Sequence, residues 1–146
     1  MLIDNLRRQH DDATAMAMRL RELADLYSGD DDAFPIALQL ARFHALLRLH
    51  LVEEDHHLYP WLMALDDPGA SALAKTYQRE MGSLAWDVET FMRHWSSSAM
   101  IAVDFASFKR ALATILSALG DRIARENAIL YPLADAASRS RQSKAA

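Results

Sequence analysis

Apolar residues recur along most of this chain at alternating intervals of three and four, the spacing that lines one face of an α-helix. A first stripe passes through Ile3, Leu6, His10, Ala13, Ala17, Leu20, Ala24 and Tyr27. A second runs through Ile36, Leu40, Phe43, Leu47, His50, Glu54, His57 and Trp61. The third is less regular, from Leu73 and Tyr77 through Glu80 with Met81 to Leu84, Val88, Phe91 and Trp95. The fourth runs from Phe105, Phe108 and Leu112 through Ile115, Leu119, Arg122 and Glu126 to Ile129 and Leu133. Turn formers separate them: Ser28-Gly29 with three aspartates, Asp66-Asp67-Pro68-Gly69, and Ser96-Ser97-Ser98. Connections this short make neighbouring helices antiparallel, so the pattern predicts an all-α, up-down-up-down four-helix bundle. It would occupy residues 1–137, and residues 138–146, which lack an apolar period, are expected to form a disordered tail.

Composition narrows the chemistry. The chain has 146 residues, enough to bury a core without staples, and its 51% hydrophobic and 25% charged content is that of an ordered domain. Four glycines and four prolines leave few places to turn, which favours long helices over many strands. There is no cysteine, so disulfides, thiol catalysis and iron–sulfur ligation are excluded, and any metal must be held by His, Asp or Glu. A net charge of -4 provides no basic surface for nucleic acid. No stretch approaches the roughly 18 apolar residues of a membrane span. The opening MLIDNLRRQHDD lacks the apolar core of a signal peptide. The expectation is a soluble, cytoplasmic protein with neither nucleic acid nor membrane as partner.

The stripes are interrupted by His10, by His50, Glu54 and His57, by Glu80, and by Arg122 and Glu126. A buried ionisable group is costly unless it is paired or ligates a metal. In an up-down-up-down bundle the start of the first helix lies level with the end of the second, the start of the third and the end of the fourth. His10 and Glu80 are early in their helices, whereas His50 with Glu54, and Arg122 with Glu126, come about ten residues before theirs end. At about 1.5 Å of rise per residue the four sets reach one height. The exceptions therefore converge on one slab of the core. An internal repeat reinforces this: His50-Leu-Val-Glu-Glu54-Asp-His-His-Leu-Tyr59-Pro60 recurs as Arg122-Ile-Ala-Arg-Glu126-Asn-Ala-Ile-Leu-Tyr131-Pro132. The i,i+4 spacing places both members of each pair on one helix face, where they can meet a common ion.

These residues make the chain resemble a hemerythrin-like (HHE cation-binding) domain over roughly residues 1–137. The likeness is carried by His10, by H-x3-E-x3-LYP from His50 to Pro60, and by E-x3-LYP from Glu126 to Pro132. It implies two non-haem irons bridged by carboxylates and ligated by histidines from all four helices. It also implies oxygen binding, nitric oxide or redox sensing, or iron handling. On that footing His10 and His50 match terminal histidine ligands, and Glu54 and Glu126 match the bridging carboxylates. The chain departs from the pattern twice. The third-helix histidine is absent, with Glu80-Met81-Gly82 in its neighbourhood, and the fourth-helix histidine is Arg122, whose guanidinium cannot ligate a metal.

The resemblance and its departures together give a single metal, or a compromised pair, on His10, His50, Glu54 and Glu126, with Glu80 as a further carboxylate. Non-haem iron is foremost, and manganese or zinc also suits nitrogen and oxygen donors. Arg122, His57, Tyr59 and Tyr131 are expected to stand behind the ligands as supporting partners. The function expected is sensing or buffering of metal, oxygen, nitric oxide or redox state, with a small diatomic molecule as a ligand, rather than turnover. Two other readings stay open. One is a carboxylate-bridged oxidase or peroxidase. The other is a metal-free interaction module whose Glu, Arg and His residues form an ionic core, because two protonated histidines balance the carboxylates as well as a divalent ion does. An apolar patch of Trp86, Phe91, Met92 and Trp95 on the third helix suggests a homodimer through that face.

Overall fold

The computed structural model describes residues 2–145 and is helical nearly throughout. α1 spans Leu2–Asp25, α2 Ala33–Glu53, α3 Tyr59–Met63, α4 Pro68–Trp95, α5 Ser98–Val103, α6 Phe105–Arg125 and α7 Tyr131–Ala145. The long helices α1, α2, α4 and α6 make the bundle: α1 packs on α2 and α6, and α4 packs on α6, while α3 and α7 prolong α2 and α6. Among the described residues no helix is long and apolar enough to cross a membrane.

The helix starts are set by local chemistry. Asp67, extended at φ -145, caps α4 by accepting hydrogen bonds from the backbone N–H of Gly69 and Ala70, with Pro68 in the first turn, where a missing N–H costs nothing. Ser97 and Asp104 cap α5 and α6 in the same way, through Ala99 and Ser107. The serine run after the third stripe thus opens a short extra helix, α5, which buries Ile101 in the core.

Two π-turns, Glu54–Leu58 and Glu126–Leu130, join α2 to α3 and α6 to α7. In each, the backbone N–H five residues on, at Tyr59 and Tyr131, donates to the carbonyl of the glutamate. A proline follows each turn at the second position beyond it, and a widened turn accommodates a ring that would otherwise strike the carbonyl four residues back. The extra residue shifts the helical register. After Glu54 the inward positions are Leu58, Tyr59 and Leu62, and after Glu126 they are Leu130, Tyr131 and Ala134. His57 and Ile129, which a regular 3/4 spacing turns inward, are exposed instead.

Apolar packing falls into two layers. The larger runs from Ala13, Leu47 and Leu119 to the far end of the bundle, through Phe43, Phe91, Trp95 and Phe108. The smaller contains Leu6, Leu58, Tyr59, Leu62, Ala74, Tyr77, Leu130, Tyr131 and Ala134. Between them, on α1, α2, α6 and the first residues of the two π-turns, lie Gln9, His10, His50, Glu54, Arg122 and Glu126, all buried. A polar layer is thus roofed and floored by hydrocarbon.

Two expectations are corrected. Residues 138–145 continue α7 as helix instead of forming a disordered tail, consistent with the helix-forming Ala, Arg, Gln and Lys in that stretch. The apolar patch on the third stripe dissolves, because Phe91 and Trp95 are buried in the larger core and Met92 packs against it. Only Trp86 stays exposed, with the Arg93 guanidinium 5.2 Å from its ring centroid.

The π-turn register has a direct check by urea unfolding. Leu58→Ala is expected to cost about 2–5 kcal/mol as a fully buried side chain, whereas His57→Ala should stay within about 0.5 kcal/mol. The opposite ranking would mean that α2 continues with regular pitch.

Candidate metal centre

The polar layer is built outward from two imidazoles. His10 on α1 directs Nδ1 at Asn127 Oδ1, 2.7 Å away, and His50 on α2 directs Nδ1 at Gln9 Oε1, also at 2.7 Å. The Gln9 amide is oriented in turn by Glu53, whose Oε2 accepts from Gln9 Nε2 at 3.0 Å and from Asn5 Nδ2 at 2.8 Å. Amide oxygens only accept, so each Nδ1 carries the proton, and in the neutral rings the lone pair lies on Nε2. Both Nε2 atoms face the same point: they are 3.1 Å apart. Two lone pairs at that separation repel unless a proton or a cation stands between them.

Carboxylates close the cluster. Glu126 Oε1 lies 2.9 Å from His10 Nε2 and 3.7 Å from His50 Nε2, and Glu54 Oε1 lies 3.3 Å from His50 Nε2. One donor atom each from His10, His50 and Glu126 falls within 4.8 Å of the others. Glu54 is fully buried, and its Oε1, close to His50 but without hydrogen-bonding geometry, has no partner. A buried carboxylate oxygen left unpaired is expensive, and an ion held among these four side chains would satisfy it. The donor set, two imidazole nitrogens and two carboxylates, fits a first-row transition metal.

Arg122 occupies the opposite side. Its Nε donates to Glu126 Oε2 at 2.8 Å, and its Nη2 donates to the Tyr59 hydroxyl at 2.9 Å and the Tyr77 carbonyl at 2.8 Å. Its guanidinium carbon lies 4.5 Å from the Tyr77 ring centroid, a cation–π contact on a side chain that is 5% exposed. Glu126 is therefore shared, one oxygen facing the histidines and the other fixed by arginine. A cavity of about 20 Å³, bordered by His10, His50, Arg122 and Glu126 and by apolar Ala13, Leu47, Met81, Leu119 and Ile123, lies beside this cluster. It has room for one water-sized molecule.

Electrostatics follow from burial and pairing. With neutral imidazoles, Glu54, Glu126 and Arg122 leave the layer at about one negative charge, so it attracts a cation. Burial alone would lower the His50 pKa, but the Glu126 and Glu54 carboxylates, 3.7 and 3.3 Å from its Nε2, outweigh it and raise it to about 9. Burial pushes Glu54 above the usual carboxylate range, against the pull of His50. Glu126, despite the same burial, is held below that range by His10, His50 and Arg122. Burial and the two carboxylates push the Tyr59 and Tyr131 phenols up.

The structure brings together His10, His50, Glu54 and Glu126, with Arg122, Tyr59 and Tyr131 against them. It separates two other candidates. Glu80 is 43% exposed and pairs with Arg125 at 2.8 Å, with Arg122 Nη1 at 3.6 Å; the inward residue at that level of α4 is Met81. His57 lies outside the cluster because the π-turn rotates it to the surface beside His56. Gln9, Glu53 and Asn127 escaped the sequence reading. Gln9 and Asn127 lie one position from a seam residue, a place a face pattern reads as flanking, and Asn127 stands where the first repeat has Asp55.

The metal-free layer has a defined pH response. His50 rises from 6.5 in the unfolded chain to about 9 in the folded one, so its contribution to stability is complete below about 6.5 and is lost as pH climbs through 9. Chelator-treated protein should show a urea midpoint that falls between pH 7 and pH 10. A flat midpoint over that range would mean His50 does not share its proton with the carboxylates.

Comparison with known proteins agrees with this geometry. The family model of the hemerythrin HHE cation binding domain matches residues 1–134. No curated protein and no solved structure matches the chain. The match spans nearly the whole bundle and includes every residue of the polar layer: this chain belongs to the hemerythrin HHE cation-binding family.

Proposed function

We propose that this chain binds a single non-haem metal ion, foremost iron, on His10, His50, Glu54 and Glu126, and works as a sensor or buffer of metal or redox state. The observation that carries this reading is the convergence of two Nδ1-anchored imidazoles on Oε1 of Glu126, with the unpartnered Oε1 of Glu54 beside His50. Manganese and zinc accept the same donors. Iron, when bound, supplies one-electron redox chemistry and affinity for small ligands. The chain's residues supply the rest: Gln9 and Asn127 fix the ring orientations, and the two apolar layers exclude water. Arg122 neutralises Glu126 where a second metal would otherwise need it. The cavity of about 20 Å³ beside His10 and His50 leaves room for one water-sized molecule next to the ion.

A second reading is favoured by the raised His50 pKa and the 2.9 Å contact between His10 and Glu126. In it protons take the cation's place, and the layer is an ionic core that fixes helix register. The two readings separate on metal content.

Elemental analysis of protein purified without chelators is expected to find close to one metal per chain, and the metal-free protein should gain thermal stability with added Fe(II), Mn(II) or Zn(II). No metal and no stabilisation by any of the three would leave only the ionic core. Metal must also displace the His50 proton, so affinity is expected to rise with pH, by up to about tenfold per unit below pH 9, measured by competition with a chromophoric chelator. Affinity independent of pH would exclude His50 as a ligand.

A further inference from the structure

Tyr131 opens α7, directly after the second π-turn, and its side chain passes beneath the His10 ring, with centroids 5.0 Å apart and planes at 20°. Its hydroxyl reaches the centre of the polar layer. Oη lies 3.1 Å from His10 Nε2, 3.5 Å from His50 Nε2 and 3.1 Å from Glu54 Oε2. Donors bonded at about 2.1 Å to one ion stand about 3.0 Å apart at right angles and about 3.4 Å apart at tetrahedral angles. The four side chains already assigned to the site show spacings of 2.9, 3.1, 3.3 and 3.7 Å between donor atoms. Tyr131 Oη is therefore spaced from the two imidazole nitrogens within that range, and it reaches Glu54 through the other oxygen, Oε2.

Given the single-metal reading above, on which this inference rests, we propose that Tyr131 is a fifth ligand, binding the metal as a phenolate. The site is then two imidazoles, two carboxylates and a phenolate, a set of hard anionic donors that favours a trivalent ion such as Fe(III) over its divalent form. The proton lost on coordination leaves by way of Glu54 Oε2, to which the hydroxyl already donates, and passes on to solvent, so that Glu54 stays a carboxylate. Charge points the same way: Glu54, Glu126 and Arg122 sum to one negative charge, so a trivalent ion would leave two positive charges in the core, and a phenolate reduces that to one.

The internal repeat supplies a built-in comparison. Tyr59 holds the equivalent place in the first repeat and reaches across to Arg122, whose Nη2 donates to it at 2.9 Å. Tyr131 reaches across to the first repeat's His50. Each tyrosine thus addresses the first residue of the other repeat, and only Tyr131 meets a residue that can share a metal with it.

The test is to load the protein with Fe(III) and record its visible spectrum. One bound Fe(III) with a phenolate-to-iron charge-transfer band is expected. The band should vanish in Tyr131→Phe, with Fe(III) affinity at least about tenfold weaker, and persist in Tyr59→Phe. Zn(II)-induced thermal stabilisation should survive in Tyr131→Phe, which reports that the variant folds and keeps the other four donors. If Tyr131→Phe does not fold, resonance Raman excitation of the wild-type band decides: tyrosinate ring vibrations support the assignment, and their absence overturns it. One Fe(III) bound without a visible band, or a band retained in Tyr131→Phe, overturns the role of Tyr131 and leaves the metal site standing. No binding of Fe(III), Fe(II), Mn(II) or Zn(II) removes both.

Discussion

Two carboxylates and a guanidinium lie in this core almost without contact with water, and the bundle depends on each finding its counterpart within a few ångströms. Glu126 is the hinge of that balance. It faces His10 with one oxygen and Arg122 with the other, so removing either neighbour leaves a buried charge facing hydrocarbon. Because uncompensated burial costs more than a lost contact elsewhere, the polar layer fixes the relative heights of α1, α2 and α6 more sharply than leucine packing could. Apolar side chains tolerate sliding. A shared carboxylate does not.

The two π-turns make that layer possible. A regular helix presents one residue per turn to a given neighbour, but here Glu54 with Tyr59, and Glu126 with Tyr131, both face the centre five positions apart. The widened turns also let the chain carry a proline just past the site. The repeat thus delivers a carboxylate and a phenol from each of two helical segments of the same design, and the arginine that stands in the second copy where the first has histidine decides what each phenol meets. A symmetric scaffold becomes an asymmetric site through one residue.

Much of this was legible in the sequence. The 3/4 stripes located the four long helices, and the equal heights of His10, His50, Glu54, Arg122 and Glu126 followed from helix rise alone. What pattern reading missed traces to two causes. A fixed period cannot see a π-turn, so His57 and Ile129 were turned inward when Leu58 and Leu130 belong there. At the irregular third stripe, Glu80 and Met81 competed for one inward place. Burial favoured the uncharged side chain, and Glu80 found Arg125 in solvent instead. Gln9 and Asn127 lie beside the seam, where period carries no information, and their roles depend on amide orientation. The length of α7 was misread because a polar helix end and a flexible tail share much the same composition.

The layered arrangement also governs traffic. Leu6, Leu58, Leu62 and Leu130 close the polar layer from one side, and Ala13, Leu47 and Leu119 close it from the other. A hydrated ion would meet hydrocarbon on both of those sides, so its arrival and departure there would require the helices to part. Residence time in such a core is a kinetic property of the fold, and can be long even where the equilibrium grip is modest.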